Sequence, residues 1–241
     1  MEMMFSYPAG VKLDRRSRRS RYRGEVARAS THPAASDGTP GAGPGRPRRY
    51  EAAEEIQLIF DAAFEVMRRN DYQDVTVDDI LAEAGMSTRS FYRHFASKDE
   101  LLCAMYRRDA ERAADRLTSR VQRATSPNEK LETWVDEILS FGFVSARARR
   151  AAVLGSPGAM RADGSSEEAR YAGDLLTASL ASILEEGKRD GTFPSAQAAT
   201  DARMITAITL DAAGLNRAGV RQTRPEARRA VLDFCRRALG A

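Results

Sequence analysis

Apolar side chains recur at helical spacing from about residue 50 to the end of the chain. In the first such segment they stand three or four residues apart, which places them on one face of a helix from about Ala52 to Arg69. No segment alternates apolar and polar residues with the Val, Ile and Thr enrichment that is typical of strands. The pattern therefore predicts an all-α fold. The apolar positions of the first helix are Ile56, Ile59, Phe60, Ala63, Phe64 and Met67.

Two short helices follow, and a tight turn joins them. Thr76 is expected to be the N-cap of the second helix, with Asp79 at the third helical position of a capping box. Gly85 supplies the left-handed residue that ends this helix. Ser87 then caps a third helix that runs to about Phe95. Two short helices joined by a turn that contains glycine are typical of a helix-turn-helix.

Six further helices are expected, which gives about nine in all. A capping box begins the fourth helix at Ser97, and the apolar pattern carries it towards Ala124. The sequence therefore predicts a three-helix domain over residues 50–97 and a second helical domain over residues 98–241. The last five helices are expected to start at Ser126, to span Arg147–Leu154, to start at Ser165, to span Ser195 to about Arg217, and to run from Thr223 to near Leu239.

Residues 1–49 lack apolar periodicity, and eight of the twenty residues from 31 to 50 are Pro or Gly. Such a segment buries too little apolar surface to offset its ordering entropy, so we expect a disordered tail. Residues 1–50 carry eleven Lys or Arg and four Asp or Glu, although the whole chain has a net charge of only +4. This basic tail is a solvated segment, an extension from a start codon assigned too far upstream, or an arm that tethers the protein to DNA.

The third helix has an apolar and a polar face. Phe91 and Phe95 stand four residues apart, so they are expected to face inward together. An arginine on the opposite face can make two hydrogen bonds to guanine in the major groove. The alternative is a purely structural helical hairpin with a solvated basic face. The residues expected on or near the open face are Thr88, Arg89, Tyr92 and Arg93.

Several classes of function find no support in the sequence. Cys103 and Cys235 stand alone in apolar helical patterns, so they are expected to be small buried side chains of a protein in a reducing compartment. No run approaches the roughly 20 apolar residues of a membrane span, and the first residues lack a secretory pattern. There is no nucleophile elbow, phosphate-binding loop or zinc motif. We therefore expect no catalytic residue, no metal and no cofactor.

Residues 84–102 read A-G-M-S-T-R-S-F-Y-R-H-F-A-S-K-D-E-L-L. This string resembles the motif of the TetR family of one-component transcriptional regulators, A-G-V-S-x-G-x-L-Y-x-H-F-x-S-K-x-x-L. The resemblance is specific over residues 52–102, and beyond them it rests on helix count, helix length and the segment 184–193. It implies a bacterial, cytoplasmic, non-enzymatic protein that lies at the nucleoid when it is bound to DNA. It also implies that the domain over residues 98–241 binds a ligand and forms the dimer.

The resemblance extends to individual DNA contacts. It implies that Tyr92, His94 and Lys98 bind phosphates and that Thr76 contacts the DNA backbone, with packing in the core as the alternative for His94. Position 89 is commonly small in the family motif, and Arg89 here favours a guanine and a different operator. The residues assigned to base readout are Thr88, Arg89 and Arg93, with Ser90 on a base or a phosphate.

A second basic element, residues 44–49, precedes the first helix. Its Gly-Arg-Pro sequence resembles the core of an AT-hook, and family members often carry a basic arm here. Arg46, Arg48 and Arg49 are therefore expected either to enter a narrow minor groove or to attract phosphates without specificity.

The resemblance further implies a homodimer. A single helix-turn-helix reads few base pairs, so two copies about one helical turn (~34 Å) apart are the usual arrangement. The last two long helices are the expected interface, and the alternative for their apolar faces is an internal core without a partner. The expected interface residues are Ile205, Ile208, Ala212, Leu215, Ala227, Val231 and Phe234.

Helices four to eight are expected to enclose a pocket for a small-molecule effector that the sequence does not identify. An effector that prefers the DNA-incompetent dimer would release a repressor from its palindromic operator. The alternative is a non-sensing architectural protein that binds DNA through its basic tail. The expected pocket residues, for each of which plain core packing is the alternative, are Trp134, Phe141, Phe143, Met160, Tyr171, Leu175 and Met204.

Overall fold

The computed structural model describes residues 51–215 and 222–241 of the chain. Every regular element in these ranges is a helix, with nine α-helices and two short 3-10 turns, which confirms the predicted all-α fold. The described residues fall in a unit that spans Arg49–Ala241. The predicted disordered tail, residues 1–49, and its three arm residues Arg46, Arg48 and Arg49 lie outside the described residues.

Local capping sets the first three helices, α1 (Ala52–Arg69), α2 (Val77–Ala84) and α3 (Thr88–His94). At the start of α2, Thr76 Oγ1 accepts the backbone N–H of Asp79 at 3.2 Å, and the Asp79 carboxylate accepts the N–H of Thr76 at 2.9 Å. The Asp79 carboxylate also accepts the hydroxyl of Thr76, and this bond, together with the one from the Thr76 N–H, holds the pKa of Asp79 below its usual value. Gly85 ends α2 with a φ of 63°, as predicted, because a side chain is strained in that conformation.

Six further helices follow: α4 (Lys98–Val121), α5 (Pro127–Phe143), α6 (Ser145–Leu154), α7 (Ser165–Asp190), α8 (Ala198–Ala212) and α9 (Arg224–Leu239). Ser97, Ser126 and Thr223 cap α4, α5 and α9 as predicted.

The predicted start of α8 at Ser195 is wrong. Phe193 and Ala196 are fully buried, and the Ser195 N–H donates to the carbonyl of Leu239, so this stretch packs as a loop against the end of α9. The predicted end near Arg217 falls among residues 216–221, which lie outside the described residues. Among those that are described, α8 ends at Ala212.

Two clusters of buried side chains hold the helices together. The head core lies among α1, α2, α3 and the first half of α4, and Phe91 and Met105 are fully buried in it. The sensor core joins the second half of α4 to α5, α7, α8 and α9 around Trp134 and Leu180, which are also fully buried. Helix α4 contributes to both clusters, so it connects them mechanically.

A second connection joins the two parts of the fold, through the segment 155–164 between α6 and α7. We call it the docking segment. Its Asp163 N–H donates to Asp99 Oδ2 at 3.1 Å, and Cys103 Sγ donates to the Asp163 carbonyl at 3.2 Å. Its Ala159 and Ala162 are buried in the head core. The head core therefore includes side chains that come from well beyond residue 97.

The two thiols lie inside the fold. Cys235 is fully buried in the sensor core, and Cys103 is half-buried beside the docking segment. Burial raises the pKa of Cys235 to about 12 and that of Cys103 to about 11. Both therefore remain protonated at neutral pH, as expected of packing residues rather than metal ligands.

The described residues show neither a membrane-spanning helix nor a cluster of metal-binding side chains. No helix in residues 51–215 and 222–241 is long and apolar enough to cross a membrane. The same residues contain no group of three or more His, Cys, Asp or Glu side chains that could hold a metal ion.

Candidate nucleic-acid interface

Helix α3 rests on an aromatic base and leaves a polar face open. Phe91 and Phe95 are buried with ring centroids 5.7 Å apart, and Phe95 lies 5.8 Å from Phe60 of α1. Tyr92 is 57% exposed although it is aromatic. The predicted split between an apolar and an open face is therefore present. The exposed residues of this face are Thr88, Arg89, Tyr92 and Arg93.

Two smaller hydroxyl groups lie at the helix starts. Thr76 is exposed at the N-cap of α2, where its Oγ1 donates to Asp79 Oδ2 at 2.5 Å. Ser90 is half-buried, and its Oγ lies 3.2 Å from the Oγ of Ser87, the N-cap of α3. Thr76 is thus open to solvent, whereas Ser90 is partly engaged by the cap. The predicted DNA contacts of both remain predictions.

Lys98 has internal partners that the sequence did not reveal. Its Nζ donates to the carbonyls of Tyr72 at 2.9 Å and Val75 at 2.6 Å, and lies 4.4 Å from the Tyr72 ring centroid. These bonds hold the turn before α2 against the start of α4. An ammonium has three donors, so one remains for a phosphate. The predicted phosphate contact of Lys98 remains a prediction.

His94 and Arg93 share a partner, Glu55 of α1. His94 Nε2 lies 2.7 Å from Glu55 Oε2, and Arg93 Nη1 donates to the same oxygen at 3.0 Å. The His94 side chain is only 8% exposed, which matches the core alternative more closely than a phosphate contact through Nε2. Glu55 was not predicted as a site residue. The sequence feature that could have revealed it is its position: Glu55 is an acid four residues before Ile59, on the apolar face of the first helix.

Comparison with known proteins identifies this region. The family described as "Bacterial regulatory proteins, tetR family" matches residues 59–105, which include α2, α3 and the turn between them. Residues 59–105 therefore form a helix-turn-helix region of the TetR family. This match confirms the family named from the motif and supports the expectation of a regulator rather than an enzyme.

A curated relative matches about a quarter of the chain. The "Uncharacterized HTH-type transcriptional regulator YxbF" of Bacillus subtilis (strain 168) is 38% identical over 61 residues. The match covers 25% of this chain and only 15% of that protein. This chain therefore spans only a small part of that protein's length, and the match does not bear on the whole molecule.

Solved structures share the fold over most of the chain. FadR from Bacillus subtilis in complex with stearoyl-CoA has a TM-score of 0.63 and 19% identity, with coverage of 76% of this chain and 98% of that one. A regulator from Saccharomonospora viridis in complex with choline has a TM-score of 0.64 and 20% identity, with coverage of 76% and 95%. At such identities the likeness shows a common fold, including the helices beyond the head.

The predicted pocket residues lie in different environments. Trp134 is fully buried in the sensor core, with Phe141 and Phe143 half-buried against it. Met204 is 58% exposed, so its assignment to an internal pocket is wrong. The reason is helix phase: the neighbouring Ile205 faces the core, and adjacent residues are about 100° apart. The remaining three, Met160, Tyr171 and Leu175, are half-buried.

Three of the predicted dimer residues are also wrong. Ile205, Ala227 and Val231 are at most 3% exposed and lie in the sensor core of their own chain. They therefore match the alternative of an internal core. Ile208 and Ala212 are half-buried. Leu215 and Phe234 are each 39% exposed, and for these four the interface remains a prediction.

A buried acid in the sensor half was missed as well. The Glu137 side chain is fully buried on α5 and accepts from Arg120 at 2.6 Å and Arg147 at 2.7 Å, with Arg116 at 3.8 Å. The sequence feature that could have revealed Glu137 is again an acid on an apolar helix face, here three residues after Trp134. The cluster ties α5 to α4 and α6.

Proposed function

We propose that this TetR-family chain is a sequence-specific DNA-binding transcriptional regulator, with double-stranded DNA as its partner at the bacterial nucleoid. The observation that carries the proposal is the open face of α3. There Arg89 and Tyr92 project from a helix that Phe91 and Phe95 anchor to the head core. A guanidinium on such a face can bind both acceptors of a guanine, while neighbouring groups fix the register on phosphates.

Selection of DNA by the full chain tests this function. Duplexes from a random pool should yield one preferred palindromic sequence. Arg89→Ala should lower affinity for that sequence by about 1–3 kcal/mol, because one base contact is lost. Arg189→Ala, an exposed change near the end of α7, is the matched control and should have little effect.

Removal of residues 1–49 separates this function from the architectural alternative. A regulator that reads DNA through α3 should keep its sequence preference after truncation. Binding that is lost on truncation, without any selected sequence from the full chain, would instead identify a tail-driven protein.

The finer proposal is a homodimeric repressor that a small-molecule effector releases from its operator. Support for the effector comes from Trp134, whose Nε1 is buried without a hydrogen-bond partner among the described residues. Buried donors are normally paired, and an unpaired one costs about 1–3 kcal/mol. A ligand with an acceptor atom in the sensor core would remove that cost. Effector binding coupled to α4 would then shift DNA affinity by about 1–3 kcal/mol.

Trp134→Phe tests the role of the indole donor, because it removes the N–H and keeps an apolar ring. The variant loses the unpaired donor but gains a small cavity, so its stability towards urea should change by less than about 2 kcal/mol. It should bind the effector about five- to tenfold more weakly, the loss of one hydrogen bond. Stearoyl-CoA and choline are the first probes, since they are bound in two structures of the same fold. Fluorescence of this single tryptophan reports binding to the wild type, and calorimetry serves both proteins. Equal affinity of both for a probe that releases DNA would exclude the role.

A further inference from the structure

Glu55 links α1 to the end of α3. Its side chain is only 10% exposed, and its carboxylate accepts from two consecutive residues of α3, Arg93 and His94. The apolar anchors of α3, Phe91 and Phe95, fix where the helix lies but not how the Arg93 side chain is directed. Glu55 therefore supplies the polar restraint at this end of the helix.

The contacts leave part of the Arg93 guanidinium for DNA. Nη1 is the atom that donates to both Glu55 oxygens, at 3.3 and 3.0 Å, and the Arg93 side chain is still 55% exposed. A guanidinium has five donors in a planar fork, so the edge away from Glu55 remains available. Because a planar fork with one end fixed has a defined direction, it is preorganised for a bidentate contact to a base.

The ion pair also changes the charge of this part of the interface. The Glu55 carboxylate offsets the Arg93 charge, so this arginine contributes little to sequence-independent attraction by phosphates. Arg89, on the same open face, has no such acid in its described contacts and differs in this respect. The two arginines of α3 are therefore not equivalent.

We propose that Glu55 is a specificity-determining positioning residue: it directs Arg93 towards a base and suppresses its non-specific attraction to phosphates. This inference rests on the proposed DNA-binding function. Glu55 itself touches no DNA and acts only through Arg93, with His94 as a second hydrogen bond that keeps the carboxylate in place.

The experiment compares two duplexes of equal length, the sequence selected by the wild type and a random one, over a range of salt concentrations. Glu55→Gln should lower the ratio of specific to random affinity about ten- to hundredfold, with the loss at one base-pair position in each half-site. The salt slope on the random duplex should steepen by about 0.9 for each head, because Arg93 is released to bind a phosphate. Asp61→Asn removes one exposed acid from the same helix and should change neither quantity.

Arg93→Lys is the second variant and does not depend on the folding of Glu55→Gln. It keeps the positive charge but removes the planar fork, so discrimination should fall at the same base-pair position with the salt slope unchanged. Thermal unfolding followed by circular dichroism identifies variants with an intact head.

The outcomes separate the two proposals. A wild type that selects no sequence contradicts the proposed function. A wild type that selects a sequence, combined with variants whose base preference and salt slope are both unchanged, overturns the role of Glu55 alone. An affinity loss that is equal on both duplexes would also overturn it, because it would indicate a purely structural part for Glu55.

Discussion

Single buried charges decide much of the local structure of this chain. Glu137 illustrates the principle in the sensor half, where one fully buried carboxylate faces three arginines that are 30–47% exposed. Burial of an unpaired carboxylate is costly, whereas a partly exposed guanidinium can still be hydrated. Replacement of one arginine therefore leaves Glu137 with the other two, whereas replacement of Glu137 removes the centre of the cluster.

The arginines should differ in importance according to their distance from Glu137. Arg147→Gln should lower the free energy of unfolding by about 1–3 kcal/mol, since Arg147 donates at 2.7 Å to a buried charge. Arg116→Gln should cost less than about 0.5 kcal/mol, because its nitrogen is 3.8 Å away and the side chain is 44% exposed. Urea unfolding of the two variants measures both values. Equal costs would contradict this ranking.

At the scale of helices, the sequence predicts a helix boundary correctly where residues close together in the chain determine that boundary. The start of α2 at Thr76 and its end at Gly85 depend on residues at most four apart, and both were predicted. The start of α8 was not, because Phe193 and Ala196 are held in a loop by burial against α9. Such a contact joins distant parts of the chain and leaves no periodic signal in the sequence.

Gly142 of α5 has a similar long-range role, and its substitution should be costly. A Cβ at this position would lie 1.7 Å from the carbonyl oxygen of Ala213, just after α8. Gly142→Ala should therefore destabilise the protein by about 1–3 kcal/mol, as overpacking does. Gly173→Ala on α7 is the matched control, since a Cβ there meets no atom within 4 Å.

The control should change stability in the opposite direction. Alanine is favoured over glycine inside a helix by about 0.5–1 kcal/mol, so Gly173→Ala should stabilise the protein. Thermal unfolding of both variants gives the comparison. A Gly142→Ala protein as stable as Gly173→Ala would show that α5 and α8 can separate at no cost.

At the scale of the whole molecule, the sequence predicted the recognition face but not the contacts behind it. Arg89 and Tyr92 could be placed because helical phase alone exposes them once Phe91 and Phe95 are inward. Glu55 could not, since its partners lie about forty residues away. The dimer face was also partly mispredicted. An error in helical phase placed Ile205, Ala227 and Val231 on the surface, although they lie in the sensor core.

The faces of α8 and α9 that are exposed in the structure predict which side chains form the dimer interface. Phe234 on α9 and Leu215 just after α8 remain partly exposed, together with Met204. Phe234→Glu should therefore yield a monomer in sedimentation analysis, because a charge cannot be buried in an apolar interface without a partner. Val144→Glu is the control, as Val144 is equally exposed, at 40%, between α5 and α6. A dimer that persists in Phe234→Glu would exclude this face.

The docking segment has a consequence for the exchange of parts between regulators. In one such chimera, the first 97 residues of this protein are joined to the remaining helices of another regulator. Its head core would then lack Leu154, Ala159 and Ala162, because the other regulator supplies the end of α6 and the segment before α7. The transplanted head would then carry a hole in its interior, because these side chains fill part of its core. A functional graft must take residues 154–164 along with the first helices, so the exchangeable piece of this protein is discontinuous in sequence.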